Sequence, residues 1–169
     1  MPSAYQIVVN TPLWVWPLML FVLWLGWLGL KPRTLPPARL AILPLVSVGS
    51  SLAGIAQSLQ PGLALAGWAA GLLLALPLGY AIGARRAVRL RPEDGRLEVA
   101  GGWFALGFGA SIFVVRYALG VLSGVMPGLR AELLWIVLSG GVGGVVTGIG
   151  LGWLANLLLR AYRPVLAKG

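Results

Sequence analysis

LAILPLVSVGSSLAGIAQSLQPGLALAGWAAGLLLALPLGYAIGA, residues 40–84, contains no Asp, Glu, Lys or Arg. A helix needs about 20 mostly apolar residues to cross a hydrocarbon core of roughly 30 Å. This run is therefore long enough for two crossings. Gln60 and Pro61 interrupt it with a turn signal, which predicts a tight hairpin of two membrane-spanning helices.

The rest of the chain has the same character. Hydrophobic residues make up 59% of the 169 residues and charged residues only 10%, whereas soluble domains carry roughly a quarter charged residues. Further charge-free runs precede and follow residues 40–84, and they predict an all-α bundle of five transmembrane helices. The predicted helices cover approximately residues 12–30, 40–59, 62–84, 101–126 and 133–159 of a single transmembrane domain, residues 1–169.

The distribution of positive charge predicts an orientation. Of the 13 Lys and Arg residues, only Arg130 falls in a loop on one side of the predicted bundle, and Arg116 falls inside a helix. All the others fall in the loops and the tail of the opposite side. Because cytoplasmic loops carry an excess of Lys and Arg, we expect the N-terminus outside and the C-terminus in the cytoplasm. A bacterial inner membrane is the expected location.

One charged stretch, residues 85–99, lies between the third and fourth predicted helices. Val88 and Leu90 alternate with arginines before Pro-Glu-Asp-Gly, and Leu97 and Val99 alternate with Glu98 after it. This pattern favours a short cytoplasmic β-hairpin. An irregular solvated loop is the alternative. The other cytoplasmic loop, KPRTLPPARL at residues 31–40, is expected to be short, stiff and basic.

The composition excludes much of enzyme chemistry. The chain has no Cys and no His, which excludes disulfides, thiolate metal sites, imidazole ligands and histidine bases. Four carboxylates are few for a metal cage. We therefore expect no catalytic residues, no metal, no cofactor and no enzyme activity. The net charge of +9 fits membrane orientation and contact with anionic lipids better than nucleic-acid binding.

Small residues recur every four positions on two of the predicted helices. Residues four apart share a helix face, so a glycine stripe lets another backbone approach closely. The spacing is compatible with packing inside one bundle, with a homo-oligomer, with other membrane subunits, or with a sliding interface in a transporter. The predicted packing residues are Gly140, Gly144, Gly148 and Gly152 on the fifth helix and Gly67, Gly71 and Gly79 on the third.

Arg116 is the sharpest single feature, because a charge deep in a bilayer costs at least roughly 2.5–3.5 kcal/mol on insertion scales. It should face the bundle or a wet cavity. It could bind an anionic ligand by charge-assisted hydrogen bonds. Alternatively its role is structural. Its N–H groups would then donate to hydroxyls, to Glu132 or to carbonyls that Pro44 and Pro77 release, or the side chain would extend outward to the membrane surface. The other predicted members of this polar site are Tyr80, Ser47, Ser51, Thr147 and Asn156.

Four arginines follow the third predicted helix, and two interpretations of them remain open. They either set the topology alone or also contact anionic lipid headgroups or a partner protein. These residues are Arg85, Arg86, Arg89 and Arg91.

Three segments carry a resemblance to known proteins: NTPLWVWPLMLFVLWLG at residues 10–26, KPRTLPPARLAILPLVSVGSSLAG at 31–54, and DGRLEVAGGWFALGFGASIFVVRYALG at 94–120. They resemble a family of small uncharacterised bacterial membrane proteins and, more distantly, CcdC-like proteins linked by name to cytochrome c biogenesis. The resemblance implies no catalytic residue. Without Cys or His, this chain could only assist in cytochrome maturation.

Three hypotheses for function follow, in order. The first is a non-enzymatic accessory or assembly component that self-associates through a glycine face. The second is a small transporter or ligand-binding membrane protein with an anionic site at Arg116. The third, an enzyme of membrane lipids, lacks the partners that a serine nucleophile needs.

Overall fold

A computed structural model describes residues 20, 24, 26–91 and 94–166 of the chain. In chain order the elements are β1 (Arg33–Leu35), α1 (Pro37–Ala56), α2 (Pro61–Ala84), β2 (Val88–Leu90), β3 (Leu97–Val99), α3 (Phe104–Val125), a 3-10 helix (Pro127–Ala131) and α4 (Leu133–Leu166). Within the described ranges, four helices are long and apolar enough to cross a membrane. This indicates a multi-pass membrane protein.

Prolines mark the starts of two helices, whereas Pro44 and Pro77 lie inside α1 and α2. Both α1 and α2 begin with a proline, where the missing N–H costs no hydrogen bond. The predicted turn at Pro61 is confirmed. The predicted bounds of α1, residues 40–59, lie three residues C-terminal to the observed bounds, Pro37–Ala56. Most of the predicted first helix, residues 12–30, lies outside the described residues.

α4 continues to Leu166, seven residues beyond its predicted end at Leu159. The apolar run ends at Leu159, but the following helical turns pack against the sheet. Leu157 is fully buried and Ala161 is 2% exposed, in a cluster with residues of the sheet. Tertiary packing therefore extends the helix past its charge-free segment.

The predicted β-hairpin at residues 85–99 is confirmed, and the loop alternative is wrong. β2 pairs with β3 in antiparallel register, Val88 opposite Val99 and Leu90 opposite Leu97. Gly95 lies in the turn with a φ of 64°, a left-handed conformation that suits glycine.

The basic loop before α1 also contributes a strand, which the sequence analysis did not predict. β1 pairs antiparallel with β3, placing Leu35 opposite Leu97, so the sheet order is β1-β3-β2. The fold is therefore a helical membrane bundle with a three-stranded sheet rather than an all-α bundle. Leu35, Leu97 and Leu90 lie in one row across the sheet. They pack in one cluster with residues of the helices, among them Leu40 of α1 and Trp153 of α4.

The helices alternate in direction. Ser47 lies beside Thr147 and Ser51 beside Gly143, so α1 runs antiparallel to α4. Glycines of α2 meet positions of α4 that increase in the same order, from Gly67 at Val137 to Gly79 at Ile149, so these two helices are parallel. The sheet therefore lies at one end of the bundle, and the 3-10 helix lies at the other.

Candidate functional site

The central contact of the bundle is a glycine interface between α2 and α4. The buried positions of α2 are all small: Ala64, Gly67, Gly71, Ala75, Gly79 and Gly83. The predicted glycines of α4 face them. A β-carbon on Gly144 would collide with the carbonyl oxygen of Trp68, and one on Gly71 would collide with the carbonyl oxygen of Gly141.

The collisions are reciprocal along both helices. On α4, Gly140, Gly148 and Gly152 face the carbonyl oxygens of Ala64, Leu72 and Leu76; on α2, Gly67 and Gly79 face those of Val137 and Ile149. Each glycine Cα thus approaches an oxygen of the opposite backbone, the geometry of Cα–H···O contacts at helix interfaces. All seven predicted packing glycines take part. The glycine faces of α2 and α4 contact each other within one chain. Self-association stays a prediction, and it would require another surface.

Three of the predicted polar residues form a buried network between α1 and α4. The Thr147 hydroxyl donates to the Gly143 carbonyl at 2.9 Å, and the Ser47 and Ser51 hydroxyl oxygens lie 3.1 and 3.3 Å from Thr147 Oγ1. Ser51 also lies within 3.4 Å of the Gly143 oxygen. Each of the three side chains is at least 96% buried. The hydroxyls satisfy one another, so this network stabilises the α1–α4 contact.

Arg116 extends from α3 toward the same region. A β-carbon on Gly54 of α1 would lie 2.7 Å from its Nη1, and one on Gly143 of α4 would lie 3.8 Å from its Nη2. The guanidinium thus lies between α1 and α4. Its Nη2 is buried and has no hydrogen-bond partner in the described part of the chain. The interpretation that carbonyls and hydroxyls satisfy this arginine is not supported for that nitrogen.

A cavity of about 560 Å³ lies beside the guanidinium. It is formed by the end of α1, the start of α2, the end of α3, the 3-10 helix and the start of α4. No carboxylate occurs among the described residues that line it, and Glu132 is exposed outside it. Its polar lining residues include Arg116, Arg130, Ser50, Ser51, Trp68 and Ser139.

The side-chain donors at this cavity differ in whether they have a partner. The Ser50 and Ser139 hydroxyls donate to carbonyls of their own helices, those of Ser47 and Ile136, at 3.1 Å. Trp68 Nε1, in contrast, is buried without a partner among the described residues. Arg116 and Trp68 thus both line the cavity, and each has a buried nitrogen without a partner among the described residues.

Four predicted members do not line this cavity. Ser47 and Thr147 belong to the neighbouring hydroxyl network, and the other two lie farther away. Tyr80 is 42% exposed on α2. Asn156 is 98% buried at the other end of α4, where its side chain packs against Gly83. The sequence analysis missed Trp68 and assigned Arg130 only to a loop. The isolation of Arg130, the lone loop cation on its side, was a signal that could have identified it.

Some arginines near the sheet bind groups of the protein, and others are exposed. Arg86 Nη1 donates to the Gly101 carbonyl at 3.1 Å, and Arg91 pairs with Glu98 at the same distance. Arg160 Nη1 caps the end of α2 by donating to the carbonyls of Ala84 and Arg86, a favourable place for a cation. Arg85 and Arg89 are exposed, so they are accessible to anions at this end.

The lining of the cavity brings two arginines together with apolar side chains. In the described ranges no group of three or more His, Cys, Asp or Glu side chains comes together in a way that could hold a metal. The arginines of the cavity carry permanent positive charges, and two nitrogens of its lining residues have no partner in the described part of the chain. Guanidinium groups form charge-assisted hydrogen bonds with anions in general.

Comparisons with known proteins identify a relative but no function. The chain is 40% identical over 74 residues to a protein of Pasteurella multocida (strain Pm70) described as uncharacterized. The match covers 44% of this chain and 58% of that protein's length. No family model matches, and no solved structure matches. The resemblance to uncharacterised proteins is thus supported, and the CcdC-like resemblance stays a prediction.

Proposed function

We propose that this chain is a membrane protein that binds an anionic ligand at Arg116, as a ligand-binding component or a small transporter. The observation that carries the proposal is the Arg116 side chain beside a cavity of about 560 Å³, with a buried Nη2 that has no hydrogen-bond partner among the described residues. That volume falls within the range of roughly 300–1,000 Å³ typical of ligand pockets.

The energetic argument rests on the unsatisfied donors. A buried donor without a partner costs about 1–3 kcal/mol, and more when it is charged. Arg116 Nη2 and Trp68 Nε1 both carry this cost. An anion in the cavity that accepted from Arg116 Nη2 would offset part of it, and Arg130 at the cavity would add a second positive charge.

The other hypotheses have less support. An accessory or assembly role, including assistance in cytochrome maturation by analogy with CcdC-like proteins, stays a prediction. The glycine faces that motivated self-association face each other within the chain. A lipid enzyme would need a nucleophile activated by a neighbouring base, and no carboxylate lines the described part of the cavity.

Titration with dodecyl phosphate tests the proposal. The protein is purified in a non-ionic detergent, and binding is followed by tryptophan fluorescence, since Trp68 and Trp135 line the cavity. We expect saturable binding that Arg116→Gln weakens about 10- to 100-fold, because a hydrogen bond to a charged group contributes about 1.5–3 kcal/mol. Arg163→Gln, an exposed arginine at the opposite end, is the matched control.

Thermal stability provides a second readout. If Arg116 serves a ligand, its removal from an unsatisfied site should leave the unfolding temperature unchanged or raise it, as for other strained functional residues. If it is structural, Arg116→Gln should lower that temperature. Equal binding by both variants, or no binding by the wild type, would contradict the proposal.

We further infer that the sheet lies in the cytoplasm and the 3-10 helix outside the inner membrane, in line with the positive-inside bias. The chain has no cysteine, so single cysteines are informative. In intact bacterial cells, a membrane-impermeant maleimide should label Ala131→Cys in the 3-10 helix. It should label Ala87→Cys, beside the sheet, only after permeabilisation; the reverse pattern would invert the topology. Both alanines are exposed.

A further inference from the structure

We infer that the anion at Arg116 is the phosphate group of a membrane lipid, which enters the cavity sideways between α1 and α3. This inference rests on the proposed function. It names the source of the ligand and its route, which the charge of the cavity alone does not determine.

The first observation is a gap in the side wall of the cavity. Ala53 and Gly54 of α1 and Gly120 of α3 line the cavity, and all three are exposed. A β-carbon on Gly120 would meet nothing within 4 Å, and the contacts between α1 and α3 are few. Among the described residues, small side chains thus border an opening on the flank of the bundle, the side that lipid would surround.

The second observation is the depth of the guanidinium. Arg116 Nη1 lies against Gly54, which is two residues before the last residue of α1, or about 3 Å along the axis at 1.5 Å per residue. Gly143, its neighbour on α4, lies in the first third of that helix. The charge therefore lies toward the bundle end opposite the sheet. A long side chain in this position can meet a headgroup near the edge of the hydrocarbon core.

The third observation is the mixed chemistry of the walls. Ile55, Leu59, Leu119 and Ile136 line the cavity together with its two arginines. A bare phosphate ion would leave most of the volume and all of the apolar wall without contacts. A lipid would fill both, with its phosphate at Arg116 and the start of an acyl chain against the apolar residues.

Photo-crosslinking tests the inference in the full-length protein. Nanodiscs of phosphatidylcholine would contain a small fraction of phosphatidylglycerol with a photoreactive group on its acyl chain. We expect adducts on the residues that flank the gap, near Gly54 and Gly120. Arg116→Gln should reduce these adducts about tenfold, as expected for the loss of charge-assisted hydrogen bonds.

A second variant tests the route. Gly120→Leu has space for its side chain, so it should keep the fold while obstructing the gap, and adduct formation should fall. Gly124→Leu, one turn further along α3 and also open, should leave the yield unchanged. Size-exclusion profiles would verify that all three variants fold.

The outcomes separate this inference from the proposed function. Adducts that persist in Arg116→Gln would mean ordinary annular lipid and would overturn the inference. Displacement of dodecyl phosphate by inorganic phosphate or glycerol 3-phosphate, with no Arg116-dependent lipid adduct, would identify a soluble anion: the inference fails and the proposed function stands. Failure of dodecyl phosphate to bind would contradict both the inference and the proposed function.

Discussion

Gly144→Leu is expected to prevent formation of the native bundle. A β-carbon at this position would collide with the Trp68 carbonyl oxygen and would lie 2.9 Å from the Leu72 nitrogen. These are backbone atoms of α2, so no side chain can rotate away and the two helices must separate. Overpacking commonly costs about 1–3 kcal/mol, and separation would add the loss of the neighbouring glycine contacts. The expected readout is loss of the monodisperse peak in size-exclusion chromatography.

The matched control is Gly124→Leu on α3, the same substitution on another apolar helix. Nothing lies within 4 Å of a β-carbon there, and glycine is a poor helix former, so stability should be unchanged or slightly increased. Equal behaviour of the two variants would mean that α2 and α4 do not meet at Gly144. Gly144→Ala should give an intermediate result, because one methyl group already collides.

Leu97→Ala is expected to destabilise the protein by about 2–5 kcal/mol, the usual cost of truncating a buried leucine. Leu97 is fully buried in the central strand, opposite Leu35 and Leu90, and packs against the ends of the helices. Its loss would leave a cavity beneath all three strands. Thermal unfolding in detergent, followed by near-ultraviolet circular dichroism, measures the effect.

Glu98→Ala is the control for this prediction. Glu98 is the next residue of the strand, lies on the exposed face and forms a surface ion pair with Arg91. Such pairs contribute only about 0–1 kcal/mol. If the two alanine variants lost the same stability, the sheet would not cover the helix ends as described.

The sequence was most informative where a local rule decides the structure. Gln60 and Pro61 predicted the break between α1 and α2 because such a pair between two apolar runs is a turn signal, and α2 begins at that proline, a favourable residue in the first turn of a helix. The alternation of Val88, Leu90, Leu97 and Val99 predicted the hairpin because side chains of a strand alternate between its two faces. Both features depend on residues close together in the chain.

Long-range features were harder to predict. Four-residue spacing identified the glycine face of α4 but not its partner, because a face without side chains fits any helix with a similar face. β1 is three residues long in a proline-rich loop, and only its pairing with the distant β3 makes it a strand. Nothing in its own composition indicated this.

The polar site was predicted in part. The contacts of Ser47, Ser51 and Thr147 follow from the α1–α4 packing, and Arg116 lies beside them. Asn156 was assigned to the same site because it is polar, but it continues the glycine stripe and so faces α2. Trp68 was missed because its place in the cavity lining depends on how α2 packs against the other helices, and sequence alone does not reveal this.

The parallel pairing of α2 and α4 has a consequence for biosynthesis. Chains emerge from the ribosome N-terminal end first, so α2 enters the bilayer while the segment that forms α4 is still unsynthesised. During that interval the face at Gly71 and Gly79 cannot make its contact with α4. Assembly of this helix pair therefore waits until α4 has been synthesised, and the earlier steps of folding proceed without it.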